Sequence, residues 1–494
     1  MNNKQNWRYY LLGVMAVAAI LVAVYPVPDL TPAGRYTLAV FVLAAGMWIA
    51  SPPEVLTPAS LIVLVLVVLA LAMDESMRSK ALATAMSGYA DPNLWLMILG
   101  FFYSAAFAKS GLAKRIALQL MSLARASTFR ILFMVGVINV ILSPTTPSTI
   151  AKGGLLLPII LGIIRTSEVE KGKSRFAKGI GIYAGGADNI ISAGILTATI
   201  SNPLAVSILQ KGGGIEISWT QWFVYTFPMA LISTLLAFFV LYFLFPPEIR
   251  EVRGGAQYVR QELAAMGPLS KTEKVTMVSF LMALILWVLD KNLIGESLYK
   301  SLPTVLQTVI GLHVLVKGVI ASLILFSPQF GVITWEDAEK EVPWGIYVLF
   351  GSALGLSAAL NLTKGMDVAL SQLIKGLGLE HMPFLLVYAV VVLVMFYGHT
   401  LFFTYTAMAA AMLPIIISLA KALNLPVLSL YVPAMALIPY SLIFPFNTVP
   451  LLMFSGAGLF DTKDCARFGL IFGLVVLLQW FVIGIPYWKA LGIM

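Results

Sequence analysis

The chain has 494 residues, a formal net charge of +9, and a composition that is 60% hydrophobic and 11% charged. That charge density is less than half the roughly 25% of soluble domains, so the composition excludes a water-soluble fold, and a positive excess placed in loops between apolar spans does not point to nucleic acid. The single Cys465 excludes a disulfide framework and any multi-cysteine metal site.

Apolar runs long enough to cross a bilayer, about 20 residues each, recur from end to end. They predict eleven spans, at about 9–26, 36–51, 55–73, 92–108, 178–210, 220–245, 272–290, 304–326, 342–360, 426–460 and 468–488. The first follows a short start with one lysine, Lys4, and no clear cleavage site, and reads as a retained span rather than a signal peptide. Two further apolar segments, about 128–165 and 383–423, are polar and small at their centres and read as re-entrant hairpins; two ordinary spans each is the other reading. Irregular backbone at membrane depth is tolerated only where protein or water covers it. With the N-terminus cytoplasmic, lysines and arginines fall on the cytoplasmic side by roughly two to one, as the positive-inside rule requires. The first hairpin then enters from the cytoplasm and the second from outside, which is an inverted-topology repeat.

The hairpin centres read as copies of one another. Ser148-Thr149-Ile150-Ala151-Lys152-Gly153-Gly154-Leu155-Leu156-Leu157-Pro158-Ile159-Ile160 and Thr404-Tyr405-Thr406-Ala407-Met408-Ala409-Ala410-Ala411-Met412-Leu413-Pro414-Ile415-Ile416 both run from hydroxyls through small residues to Leu-Pro-Ile-Ile. Each is preceded by a Trp-Gly-aromatic span, Trp95 to Ala108 with Gly100 and Trp344 to Leu360 with Gly351. Each is followed by an interrupted span: Thr197-Ala198-Thr199-Ile200-Ser201-Asn202-Pro203 in the first half, Pro445-Phe446-Asn447-Thr448-Val449-Pro450 in the second. Proline beside hydroxyls and amides unwinds a helix and frees backbone groups; a kink re-satisfied by neighbours is the plainer alternative. Paired broken segments in the two halves of a membrane chain point to a transporter's binding site.

With these motifs, Leu244-Phe245-Pro246-Pro247-Glu248-Ile249 and Trp335-Glu336-Asp337-Ala338-Glu339-Lys340-Glu341-Val342-Pro343-Trp344-Gly345, nearly the whole chain resembles the divalent anion:sodium symporter family. The family carries Ser-Asn-Thr at each hairpin tip; Ser148-Thr149-Ile150 and Thr404-Tyr405-Thr406 both lack the asparagine. The first tip is similar to the exchanger branch, that of citrate:succinate antiporters and plastid 2-oxoglutarate/malate translocators, where arginine stands at the place of Lys152; His399 also resembles a histidine of that branch. The resemblance implies an all-α polytopic protein of about eleven transmembrane helices plus two re-entrant hairpins, a homodimer that works by elevator movement. It implies scaffold helices at 1–91 and 272–341, inverted repeats at 92–245 and 342–494, and a cytoplasmic linker at 246–271. It places Ser148, Thr149, Ile150, Thr404, Tyr405 and Thr406 at the substrate, with Thr199, Ile200, Asn202, Asn447 and Thr448 at the helix breaks, and His399 beside them. Hydroxyls and amides at helix N-termini are what a carboxylate needs in place of water, so the residue chemistry points the same way; Tyr405 packing against lipid or scaffold is the other possibility.

Lys152 lies four residues past the tip serine, inside the hairpin. Burying a lysine there costs ~2.5–3.5 kcal/mol on insertion scales, so it either snorkels to water or acts as a fixed cation in place of sodium. Missing asparagines and a gained cation argue against two bound sodium ions and leave room for one. Asp188 could pair with a lysine, cap a helix or titrate; His313 and His381 read as structural or interfacial. Rival functions lack their motifs. Gly172-Lys173-Ser174 has no phosphate-loop glycine at Ser167, Gly185-Gly186-Ala187-Asp188 has no partner for an aspartyl protease, and the three histidines are too dispersed for a zinc protease. The expectation is a transporter rather than an enzyme, without cofactor or metal, in the plasma (inner) membrane, with its N-terminus cytoplasmic and its C-terminus external. It exchanges small dicarboxylates without sodium; sodium-coupled uptake and a passive anion channel are the alternatives.

Overall fold

Backbone polar groups inside a bilayer must be satisfied within the segment that carries them, which leaves a chain of this composition only helices or a closed barrel. It uses helices. The computed structural model describes residues 6–26, 28–440 and 442–494, and among these the only β pairing is an isolated bridge between Ser127 and Glu251.

The first three helices, α1 (Asn6–Val24), α2 (Pro32–Ala50) and α3 (Pro53–Ala72), precede α4 (Pro92–Ser110). Gly111, at φ +78°, then turns the chain by 68° into α5 (Leu112–Ser122), in a left-handed conformation that glycine adopts without a Cβ penalty. The first hairpin is α6 (Thr128–Leu142) and α7 (Thr149–Thr166). A broken span follows, α8 (Arg175–Ser192) and α9 (Ser201–Gly213), then α10 (Trp219–Leu244), α11 (Arg253–Ala265) and α12 (Lys271–Val288). The next segment, α13 (Thr304–Gly311) and α14 (Val314–Ser322), leads to α15 (Trp344–Thr363) and α16 (Gly365–Gly376). The second hairpin is α17 (Phe384–Gly398) and α18 (Tyr405–Ala422); a second broken span, α19 (Val427–Leu437) and α20 (Val449–Gly456), precedes α21 (Thr462–Gln479).

Ten helices among the described residues are long and apolar enough to cross a membrane, or twelve if each of two bent pairs is one span; four of the ten are hairpin arms. The chain is an all-helical, multi-pass membrane protein. Each boundary of the first hairpin returns 256 residues later in the second, including the short 3₁₀ turns Ser143–Thr145 and His399–Leu401 and the mid-helix prolines Pro158 and Pro414. The span expected as continuous over 304–326 is instead bent by 101°. His313 begins the new helix there, its Nδ1 accepting from the Leu315 amide, so apolarity alone could not show the break.

At the centre, α8 packs on both arms of the first hairpin, on α10 and on α20. Two glycines make that packing possible. A Cβ on Gly153 of α7 would lie 2.9 Å from Cβ of Pro450, and one on Gly185 of α8 would lie 3.1 Å from Cα of Leu451. Cys465, between the spans expected at 426–460 and 468–488, sits instead in the first turn of α21, fully buried, with Sγ donating to the Leu442 carbonyl. The turn is amphipathic, and the thiol falls on its inner face.

Two outcomes follow. Gly153→Ala is expected to lose about 1–3 kcal/mol through forced backbone movement at Pro450, whereas Gly154→Ala, whose nearest neighbour is the Met453 methyl at 3.6 Å, is expected to be neutral or stabilising; thermal unfolding of the two purified variants compares them. Cys465 is expected to resist membrane-permeant and impermeant maleimides alike until the protein unfolds, and labelling of the native protein by either would place the thiol elsewhere.

Candidate functional site

The interruption in each hairpin exposes the first amides of a long helix, and a hydroxyl holds one of them. Ser148 Oγ accepts from the Ala151 amide and Thr404 Oγ1 from the Ala407 amide, both at 3.1 Å. Thr448 caps α20 in the same way, accepting from Leu451 at 3.2 Å. The remaining N-terminal amides of α7, α18 and α20 give three positive helix ends beside one another, a setting suited to anions.

Lys152 does not snorkel. Its side chain is 3% exposed and its ammonium lies 2.8 Å from Oδ1 of Asp188, whose side chain is equally buried. Three more oxygens surround Nζ: the Ser143 carbonyl at 3.3 Å, the Ala198 carbonyl at 3.3 Å and Ser192 Oγ at 3.4 Å. Two of these exist as acceptors because the backbone is broken, at the first tip and between α8 and α9. Asn202 secures that second break by donating to the Ser192 and Ile195 carbonyls at 2.8 and 2.9 Å.

Beside Asp188, Asn189 ties the two halves together. Its amide nitrogen donates to Gly185 and to Thr448 Oγ1, and its carbonyl oxygen accepts from the Tyr405 hydroxyl at 2.8 Å. Tyr405 therefore bonds to α8 rather than facing lipid. The His399 ring lies 4.9 Å from that of Tyr405, fully buried, with neither nitrogen hydrogen-bonded. Asn447 Oδ1 accepts from the Phe444 amide at 2.8 Å, and its Nδ2 has no partner.

The structure thus brings Lys152, Asn202, His399, Tyr405, Asn447 and Thr448 to one region, with Ser148 and Thr404 as helix caps. Thr199 and Thr406 are buried nearby in sequence, Thr149 and Ile200 are partly exposed, and Ile150, 50% exposed, stays outside the buried cluster. Ser143 and Ser192 supply oxygens to Lys152 and were not singled out by the sequence. A serine in a small-residue stretch gives no signal until its neighbours are known. Asp188 was singled out, and pairing with a lysine is the alternative realised. Lys317, also buried, donates to the Leu289 carbonyl at the end of α12, which accounts for it; His381 is exposed. A cavity of about 620 Å³, lined among others by Glu216, Asp290, Lys291, His313 and Lys317, contains none of the sequence-predicted site residues.

Comparison with known proteins gives three findings. The family described as the sodium:sulfate symporter transmembrane region matches residues 4–494. A membrane protein of Cupriavidus necator is 30% identical over 416 residues, 84% of this chain and 78% of its own length; the L-tartrate/succinate antiporter of Escherichia coli K12 is 29% identical over 419 residues, 82% of this chain and 80% of its own. Among solved structures, the YdaH transporter of Alcanivorax borkumensis superposes with a TM-score of 0.57 at 15% identity, covering 90% of this chain and 99% of that one, a likeness of fold alone.

Removing one partner of a buried ion pair strands a charge, at roughly 3–5 kcal/mol, while replacing both by apolar groups is often neutral. Lys152→Met and Asp188→Leu are each expected to lower the unfolding temperature more than the double substitution does. A double variant with the summed loss of the two singles would mean the pair is not coupled.

Proposed function

The chain belongs to the family of the sodium:sulfate symporter transmembrane region, and from that premise we propose that it exchanges small dicarboxylates across the plasma (inner) membrane without sodium. The observation that carries this reading is the oxygen cradle around Lys152. Two backbone carbonyls, a hydroxyl and a carboxylate form the kind of oxygen set a hard cation takes, and the lysine ammonium fills it. A cation covalently attached to the hairpin does the work of a bound sodium ion and cannot dissociate. The naming of the Escherichia coli relative as an L-tartrate/succinate antiporter supports the same substrate class and the same mode.

On this reading the two carboxylates of the acid lie at the two tips. The amides of α7 and α18 and the side chains of Ser148, Thr149, Thr404, Tyr405 and Thr406 replace their water. Thr199, Ile200, Asn202, Asn447 and Thr448 line the breaks, and His399 backs Tyr405. The protein works as a homodimer with its N-terminus cytoplasmic, and the hairpins and broken spans move as one body past the remaining helices. α4 meets that body at Pro147, where a Cβ on Gly100 would lie 2.8 Å away, and at a buried polar cluster in which Asn93 donates to Ser207 and Ser207 to Asp91. Sodium-coupled uptake is the second reading, favoured by the family description alone.

Two measurements test this. In proteoliposomes, uptake of labelled succinate or tartrate is expected to require dicarboxylate inside and to persist when potassium replaces sodium; rapid sodium-dependent uptake into empty vesicles would reverse the assignment. Lys152→Ala is expected to abolish exchange in protein that still elutes as a monodisperse species, while Lys152→Arg keeps measurable activity with altered affinity, because its charge is spread over a planar fork. Wild-type rates from Lys152→Ala at subsaturating substrate would remove this residue from the site.

A further inference from the structure

The unpartnered polar atoms around the two breaks are not all of one kind. Thr197 Oγ1, Ser201 Oγ and Asn447 Nδ2 are buried side-chain groups without a hydrogen bond, and each can donate to a carboxylate. Asp188 Oδ2 is also buried and without a partner, and an ionised carboxylate oxygen can only accept. The other oxygen of Asp188 is used by Lys152 at 2.8 Å and by Ser192 at 3.4 Å. A desolvated acceptor beside an anion site repels a second carboxylate and is satisfied by an O–H group.

Its place in the fold says which O–H. Asp188 pairs with Lys152 of the first hairpin, and the next residue, Asn189, holds Tyr405 of the second hairpin and Thr448 of the second break. Asp188 therefore lies between the two tips. An acid whose carboxylates occupy the tips passes its middle carbons by α8, and the 2-hydroxyl of a hydroxy-dicarboxylate is carried on such a carbon. We infer that Asp188 is a specificity-determining residue that accepts a hydrogen bond from the substrate's hydroxyl through Oδ2, so that the site prefers hydroxylated four-carbon dicarboxylates to unsubstituted ones. The inference rests on the dicarboxylate reading above. It also gives the buried Lys152–Asp188 pair a use beyond charge balance: the lysine fixes one carboxylate oxygen at 2.8 Å and leaves the other free.

The test compares acids that differ only in that donor. Malate, 2-fluorosuccinate and succinate are competed against labelled substrate in wild-type protein; fluorine is close to hydroxyl in size and cannot donate. Malate is expected to bind about ten- to a hundredfold more tightly than fluorosuccinate, the range of one hydrogen bond to a charged group. In Asp188→Asn the malate-to-fluorosuccinate ratio is expected to fall to about threefold or less, and a ratio is read so that a general loss of affinity or folded protein cancels. The wild-type comparison stands even if that variant does not fold. Equal affinities in wild-type protein that exchanges both acids, or a preference that survives in Asp188→Asn, would overturn the role of Asp188 and leave exchange standing. Wild-type protein that binds none of the three would overturn both.

Discussion

A lysine and an aspartate in contact, each 3% exposed, decide much of what surrounds them. Neither charge can be held alone at membrane depth, and the pair is tolerable only if its remaining donors and acceptors are met. The ammonium has three N–H groups, and the backbone is broken in two places within its reach. The first-hairpin turn supplies the Ser143 carbonyl and the break after α8 supplies that of Ala198, so the irregular backbone and the buried lysine satisfy each other. A continuous α8–α9 helix would use the Ala198 carbonyl internally and leave Lys152 short of an acceptor. An apolar residue at 152 would leave broken backbone facing hydrocarbon. The interruptions and the charge are one structural decision.

The second half repeats the geometry without the chemistry. Hairpin boundaries, capping hydroxyls and mid-helix prolines agree at a constant offset of 256 residues, yet Met408 stands where the first hairpin has Lys152 and His399 where it has Ser143. The second break is held differently, by Asn189 reaching from α8 to Thr448 and Tyr405. Helix ends of equal polarity therefore meet across a site whose fixed charges both lie on one side. A symmetric backbone gives both ends of an anion similar amides, and the unsymmetrical side chains make the two ends distinguishable.

The hairpins and both breaks were legible because their cost is visible in one dimension. Hydroxyls, glycines and prolines inside apolar runs are unfavourable for a plain helix and stand out against it. The bend at Leu312–His313 was not legible, since the segments on either side are apolar and only a local cap marks the turn. Lys152 and Asp188 were each conspicuous, but nothing in the sequence between them, 36 positions apart, says that α7 and α8 lie side by side with Gly153 and Gly185 both pressed against α20. Ser143 and Ser192 were silent, as small polar residues are until the fold gives them a neighbour. Cys465 lies outside the span expected at 468–488 because the charged stretch from Asp461 to Arg467 gives no apolar signal, while the helix begins at Thr462 and turns the thiol inward.

The packing also constrains how the centre could move. Gly153 and Gly185 bring α7 and α8 so close to α20 that a Cβ at either would meet Pro450 or the Leu451 backbone within about 3 Å, and Asn189 adds hydrogen bonds across the same seam. Sliding α20 past α8 would break both at once. The first tip meets α4 through an approach of the same kind: a Cβ on Gly100 would lie 2.8 Å from Cδ of Pro147. Glycine-tight approaches and buried hydrogen bonds thus join α7, α8 and α20 to one another and tie α4 to the first tip and to α9, so the packing around the charge pair resists rearrangement from within.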